Sequence, residues 1–262
     1  MKNLKISFVF ALMILGNMRL QAQSKDTLVV TASMLNTNVL KEGTHRYLVY
    51  FKRNKEASRT LAQFWTRKVE RKKYNGLEAI YIDQVWEDND TIVHTTTSIS
   101  DAKTMKPLYH KSWWNKRGSS TIDFLNKQLT INGQLVGDDE ADPKRKASLE
   151  SFKKALNTEV FNWHLDLEFF PILPYKKGAI FSIPFYEPAS PTLPLYVTYQ
   201  VTGEAELEGF DGQKIPCWLL YHEEKGNKEL FWISKKTKEV LKLEQEVNGS
   251  MYRYKIKLGF SV

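Results

Sequence analysis

The sequence predicts a mainly β protein: a large curved antiparallel sheet, a half-open β-barrel, made from two meander units with a helical segment between them. Three observations carry this. Turn signals recur in the same order in both halves of the chain. The stretches between them alternate apolar and polar residues with a period of two. One segment, between the halves, has helical spacing instead.

The first residues stand apart. Lys2 and Lys5 precede an apolar run, Ile6 to Leu15, followed by "NMRLQAQS" with Ala22 at a cleavage position. That is the layout of a secretory signal peptide over residues 1–22. The run falls short of the ~20 apolar residues that a spanning helix needs. No cysteine lies near the cut, so no lipid anchor is expected, and residues 23–262 read as a single exported, periplasmic β-rich domain. The formal charge of +8 would fall to +5 on losing Lys2, Lys5 and Arg19. In an exported chain such a balance does not point to nucleic acid, whereas anionic envelope surfaces are compatible with it. No later stretch is apolar enough to cross a membrane as a helix. Cys217 is the one cysteine and sits in "IPCWLL", where it reads as a small buried hydrophobe.

The first meander spans about 44–137. "HRYLVYFKR" places Tyr47, Val49 and Phe51 on one face. The basic run "TRKVERKKY" reads as a solvated strand edge, and Asn75-Gly76 supplies a tight hairpin turn, because a type I′ turn needs positive φ at both central positions. "TIVHTTTSISDAKTMKPLYHKSWW" enters and leaves a polar knot, Asp101-Ala102-Lys103-Thr104, whose short side chains can bond local backbone. A turn at Arg117-Gly118-Ser119 and a hairpin about Asn132-Gly133 complete the unit.

Between the halves, about 142–171, Leu149, Phe152, Leu156, Val160, Trp163, Leu167 and Phe170 step by three or four and form one apolar stripe. Asp142 can cap, Pro143 suits the first helical position and Pro171 ends the pattern. Asn157-Thr158 can divide it into two helices. The stripe is expected on the concave face of the sheet. Four prolines in 183–195 then predict a rigid extended crossover.

The second meander, about 196–261, repeats the grammar. Asp211-Gly212 answers Asn75-Gly76, Ser234-Lys235-Lys236-Thr237 answers the first knot, and Asn248-Gly249-Ser250 answers the third turn. In "MYRYKIKLGF", Tyr252, Tyr254, Ile256, Leu258 and Phe260 alternate with Arg253, Lys255 and Lys257. The aromatic face is expected inward and the basic one outward. A strongly twisted sheet of this size must curl. A half-open barrel over the helical segment is the first expectation and a closed barrel the second.

The hairpin "FWISKKTKEVLKLE", with Trp232 before a turn closed by Thr237, resembles the repeated hairpin of periplasmic lipoprotein carriers and their sensor-domain relatives. Those are unclosed β-barrels capped by helices that hold acyl chains in the hollow. Through "IDQVWEDND", "FSIPFYEP", "VTYQVTGEAELEGFDG" and "FWISKKTKEVLKLEQE", the chain more closely resembles an exported Gram-negative family known only as a domain of unknown function. That resemblance implies a periplasmic β-rich fold and no established activity.

Neither a nucleophile elbow, a phosphate-cradling glycine loop nor a zinc-protease motif occurs. The five histidines are scattered along the chain. "HLDLE" brings His164, Asp166 and Glu168 close: as a strand all three share a face, and as a helix His164 and Glu168 do. They are weak metal candidates for a metal-dependent hydrolase. Glu70 and Glu206 recur at equivalent turns and read as solvated. Of the doublet Trp113-Trp114, one indole must face inward, and Trp113 is taken as that one. With Trp163, Tyr199, Tyr252 and Tyr254 it makes the expected ligand-binding set on the concave face. The functional expectation is a non-catalytic envelope protein that binds a lipid or acylated ligand without a cofactor. The alternative is a scaffold for an outer-membrane or cell-wall assembly.

Overall fold

The computed structural model describes residues 27–209 and 211–259; the expected signal peptide lies outside them. The chain forms β1 (Thr27–Val29), β2 (Gly43–Lys52), β3 (Leu61–Tyr74), β4 (Leu77–Asp88), β5 (Thr91–Asp101), β6 (Pro107–Trp114), β7 (Gly118–Asp123), β8 (Gln128–Ile131) and β9 (Gln134–Leu135). Helix α1 (Pro143–Leu156), β10 (Phe161–Asn162) and the short helix α2 (Asp166–Phe169) follow. The last strands are β11 (Ile180–Tyr186), β12 (Leu195–Glu208), β13 (Lys214–Glu224), β14 (Asn227–Ser234), β15 (Val240–Val247) and β16 (Met251–Leu258). No helix among the described residues is long and apolar enough to cross a membrane.

All sixteen strands belong to one curved, unclosed sheet. Its path runs β1-β11-β12-β13-β14-β15-β16-β2-β3-β4-β5-β6-β7-β8-β9. The two meanders are joined by an antiparallel seam between β16 and β2, with Tyr254 opposite Tyr50 and Ile256 opposite Leu48. The basic run of β3 is therefore no sheet edge, since β3 pairs with both β2 and β4.

The duplication is visible in backbone detail. Asp101 Oδ1 accepts from the Thr104 amide at 2.8 Å, and Ser234 Oγ accepts from the Thr237 amide at 3.0 Å. Met105 and Lys238, the residues after each threonine, both have φ 57°. A register shift precedes each knot, at Ile99/Ser100 and at Trp232/Ile233. At Asn75-Gly76 both φ values are positive, as a tight hairpin requires. The partner turn differs: there the Gly209 amide donates to the Gln213 carbonyl at 2.7 Å.

Asp142 caps α1, accepting from the Lys144 and Arg145 amides at 2.8 and 3.0 Å. The expected single stripe divides at Asn157. Leu149, Phe152 and Ala155 of α1 pack with Ile122, Leu129, Val160 and Tyr186, so α1 lies in the gap between the β7-β8 side of the sheet and β11. Residues 161–173 leave that line. They enter the barrel as β10, α2 and two flanking 3-10 turns, and put Phe161, Leu165, Phe169 and Phe170 into the main core. The proline-rich crossover also needs correction, because Ile183 to Tyr186 belong to β11. Pro184 is tolerated there because it falls between the stretch of β11 paired with β1 and the stretch paired with β10.

Candidate functional site

Inside the barrel the period-two pattern resolves into two kinds of surface. β11 to β15 turn Phe181, Ile183, Val197, Tyr199, Leu220, Phe231 and Leu243 inward, all essentially inaccessible. β5 and β6 turn in His94, Thr96, Ser98, Ser100, His110 and Ser112 instead, which are also buried.

β16 is inverted relative to expectation. Lys255 and Lys257 are 3% and 4% exposed and face inward, whereas Tyr252 and Tyr254 lie on the outer face, where Tyr254 stacks on Tyr50 at 4.9 Å. The cause is the inserted segment. Its turn at 163–168 carries carboxylates into the barrel, and buried carboxylates require cations. Lys255 Nζ meets Asp166 Oδ2 at 2.8 Å. Arg67, 1% exposed on β3, donates from Nε to Glu168 Oε1 at 2.7 Å and from Nη2 to Glu168 Oε2, and reaches Gln84 and the His164 carbonyl at 2.9 Å each. Lys257 pairs with Glu239. Burial works against the Arg67 charge, but Glu168 and Asp166 more than offset it and raise its pKa. Burial likewise works against the Asp166 carboxylate, yet Lys255 and Arg67 hold it below the usual range. For Lys255 the balance reverses: burial outweighs Asp166 and lowers its pKa.

Above this buried lattice lies a cavity of about 290 Å³. Its floor is Trp163, His164 and Asp166. Its walls are Trp65 and Arg67 of β3, Trp86 of β4, Tyr199 of β12, Glu229 and Phe231 of β14, and Arg253 and Lys255 of β16, with Glu187 at its side. Trp65 and Trp86 face each other in register and stack at 3.6 Å. Trp86 meets His94 edge-on at 4.5 Å, and His94 stacks on Trp114 at 3.7 Å. Trp163 stacks on Phe185 at 5.6 Å. Lys255 Nζ lies 4.7 Å from the Trp65 ring centre, a cation–π contact. His164 and Glu187 also line a second, more polar cavity of about 460 Å³, which includes Ser112, Ser120, Arg117 and Lys144.

Three histidines converge here. The His164 ring lies 5.9 Å from His94 and 5.0 Å from His110. Burial holds His94 and His164 neutral, with pKa values lowered to about 4, and pushes His110 well below its ordinary value. Their chain separation hid this row. The signal that could have exposed it is "HTTTS" on a strand whose neighbours are inward, since its alternate residues must then be buried polar groups.

Of the five expected ligand residues, Trp163 and Tyr199 line the cavity. Tyr252 and Tyr254 do not, and Trp113 is 38% exposed on the outside of β6 while its neighbour Trp114 turns inward. Asp166 and Glu168 are committed to Lys255 and Arg67. "HLDLE" is a 3-10 turn running into α2, not a strand, and among the described residues no three His, Cys, Asp or Glu side chains, the histidine row included, are placed to hold a metal ion. Glu70 and Glu206 sit in solvent beside lysines, as read from the sequence. Cys217 is buried, which pushes its thiol up to about 11.

No curated protein matches the chain. A solved β-barrel-like protein of the DUF1849 domain of unknown function from Brucella abortus is similar at 8% identity and a TM-score of 0.41, over 85% of this chain and 99% of that one. The model of a protein family of unknown function, DUF3108, matches residues 46–257, from β2 to the end of β16, and the chain belongs to that family.

Proposed function

We propose that this is a non-catalytic binding protein of the cell envelope, exported by its N-terminal segment, which takes a small amphipathic ligand into the cavity at one end of its unclosed barrel. The observation that carries this is the 290 Å³ cavity itself, where stacked Trp65 and Trp86 stand beside charged groups on a floor supplied by a separate segment. Ligand sites are concave, largely aromatic and apolar, and furnished with a few convergent polar groups. The expectation of a long acyl chain narrows. Phe161, Phe169, Phe170, Phe185 and Phe231 fill the apolar half of the barrel, each at 1% exposure or less, so a compact ligand fits the remaining space better. As interaction edges, β9 with two residues and β1 with three offer little to a scaffold partner.

Native mass spectrometry of the protein isolated from its own cells, before and after organic extraction, tests both parts. The expected result is a chain that begins near residue 23 and carries a small bound mass that extraction removes. A chain that retains residues 1–22 would overturn export. A bare mass before extraction, together with tryptophan fluorescence unmoved by envelope extract, would overturn ligand binding.

A further inference from the structure

Resting on that reading of the cavity, we propose that its ligand bears a single anionic group, a carboxylate or phosphate, received by Arg253. Of the cations on the inner rows of β3 and β16, Arg67 has Glu168, Lys255 has Asp166, Lys257 has Glu239, and Arg71 gives its guanidinium to the Thr37 carbonyl. Arg253 has no carboxylate within ion-pair distance among the described residues, and its Nε is buried without a hydrogen bond.

The register explains why. Arg253 is opposite Gln245, which is opposite Glu229, so the three form one inward row across β16, β15 and β14. Gln245 gives its amide to Glu229 at 2.8 Å, and the Tyr199 hydroxyl reaches the other carboxylate oxygen at 3.4 Å. Neutral donors thus occupy the nearby carboxylate, and the guanidinium is left facing the cavity. A half-buried guanidinium whose Nε is buried and unpaired is costly, and an arriving anion recovers that cost through charge-assisted, bidentate hydrogen bonds. Burial lowers the Arg253 pKa, in keeping with a charge that lacks its partner. Lys255 lies alongside, and Trp65 is within cation–π distance of both. Glu229 and Asp166 in the same cavity set the limit on charge: they oppose a polyanion and admit one negative group on a compact body that can lie against Trp163 and Phe231.

Tryptophan quenching of the full folded chain tests this, in a Trp113→Phe background that removes the exposed outer indole. Acrylamide is the neutral probe, iodide the anionic one and caesium the cationic one. Acrylamide is expected to reach the cavity tryptophans. Iodide is expected to show a saturable component that caesium lacks. Arg253→Met keeps the side-chain length, removes the charge and is expected to weaken that component by about tenfold or more. Arg253→Lys keeps a charge without the fork and retains a weaker component, so the test survives if the methionine variant fails to fold. Benzoate against phenyl phosphate as competitors separates carboxylate from phosphate; displacement by neither overturns the proposed ligand class. Acrylamide access without a saturable iodide component, or with one that ignores Arg253, overturns the anion site and leaves the binding reading standing. Exclusion of acrylamide overturns the binding reading itself.

Discussion

Strands β5 and β14 hold the same place in two runs of the same turn order, and they bury opposite chemistries. Counting back from the knots, Ser100 answers Ile233 and Ser98 answers Phe231; all four are buried. The backbone program is shared, down to the register shift and the left-handed residue after each threonine. A meander therefore specifies where a chain turns and which residues share a face, but leaves the chemistry of that face free. Strands β11 to β15 turn their inner face to the core and β5 and β6 turn theirs to a polar interior, and the inserted segment 161–173 meets both: Phe170 packs at 4.6 Å on Phe231, and Asn162 and His164 meet His110.

The sharpest break of this comparison is to truncate both sides. Phe231→Ala removes a fully buried ring and is expected to cost about 3–5 kcal/mol in urea unfolding, the usual range for such cavities. Ser98→Ala, at the equivalent place, removes a hydroxyl bonded to His110 Nδ1 at 2.8 Å and is expected to cost only about 1 kcal/mol. Equal costs would mean that the two inner faces are packed alike.

Next in size is the coupling that holds the inserted segment to the sheet. A double-mutant cycle on Arg67→Met and Glu168→Gln is expected to give an interaction energy of about 1–3 kcal/mol, because each single change leaves a buried partner uncompensated. A coupling near zero would show that the helical turn is held by its phenylalanines alone.

Much of this was legible and some was not. The hairpins, both knots, the Asp142 cap and the break near Asn157 follow from local residue chemistry, which acts within a few positions. The inversion of β16 does not, because alternation defines two faces without saying which is inside. The usual tie-breaker, that the aromatic face is buried, fails here. Tyr252 and Tyr254 find outer partners in Lys55 and Tyr50, and the lysines find carboxylates 89 and 18 residues away. A clue was present. A segment expected on the concave face that carries Asp166 and Glu168 demands interior cations, and Arg67, Lys255 and Lys257 are inward once that demand is followed. The β16–β2 seam and the histidine row depend on closure of the whole sheet, which no local pattern encodes.

Acid should find the polar strands before the apolar ones. His94 and His164 titrate at about 4 in the fold and near 6.5 when unfolded, so between those values the unfolded chain binds more protons. Stability is thus expected to fall as pH drops from 6.5 to 4, by up to about 1.4 kcal/mol per pH unit for each histidine. His94→Gln should flatten that slope. Asp166, held below the usual carboxylate range by Lys255 and Arg67, loses its contribution at lower pH and does not confuse the window. A slope unchanged in the variant would show that His94 takes up its proton as readily in the folded chain as in the unfolded one.

The smallest effect separates what the units share from what they do not. Asp101 accepts three bonds in its knot, from the Lys103 amide at 3.0 Å, the Thr104 amide at 2.8 Å and the Thr104 hydroxyl at 2.7 Å, whereas Ser234 accepts one from the Thr237 amide at 3.0 Å. Asp101→Ala is expected to cost about 1–2 kcal/mol and Ser234→Ala about half as much, both read from the urea midpoint. If the knots are one device, Ser234→Asp should be neutral or stabilising, because a carboxylate there can gather the Lys236 and Thr237 amides as Asp101 gathers its own. If instead Ser234→Asp destabilises by as much as the alanine variant, the buried position of Ser234, fully inaccessible where Asp101 is half-buried, governs the turn more than its hydrogen bonds do.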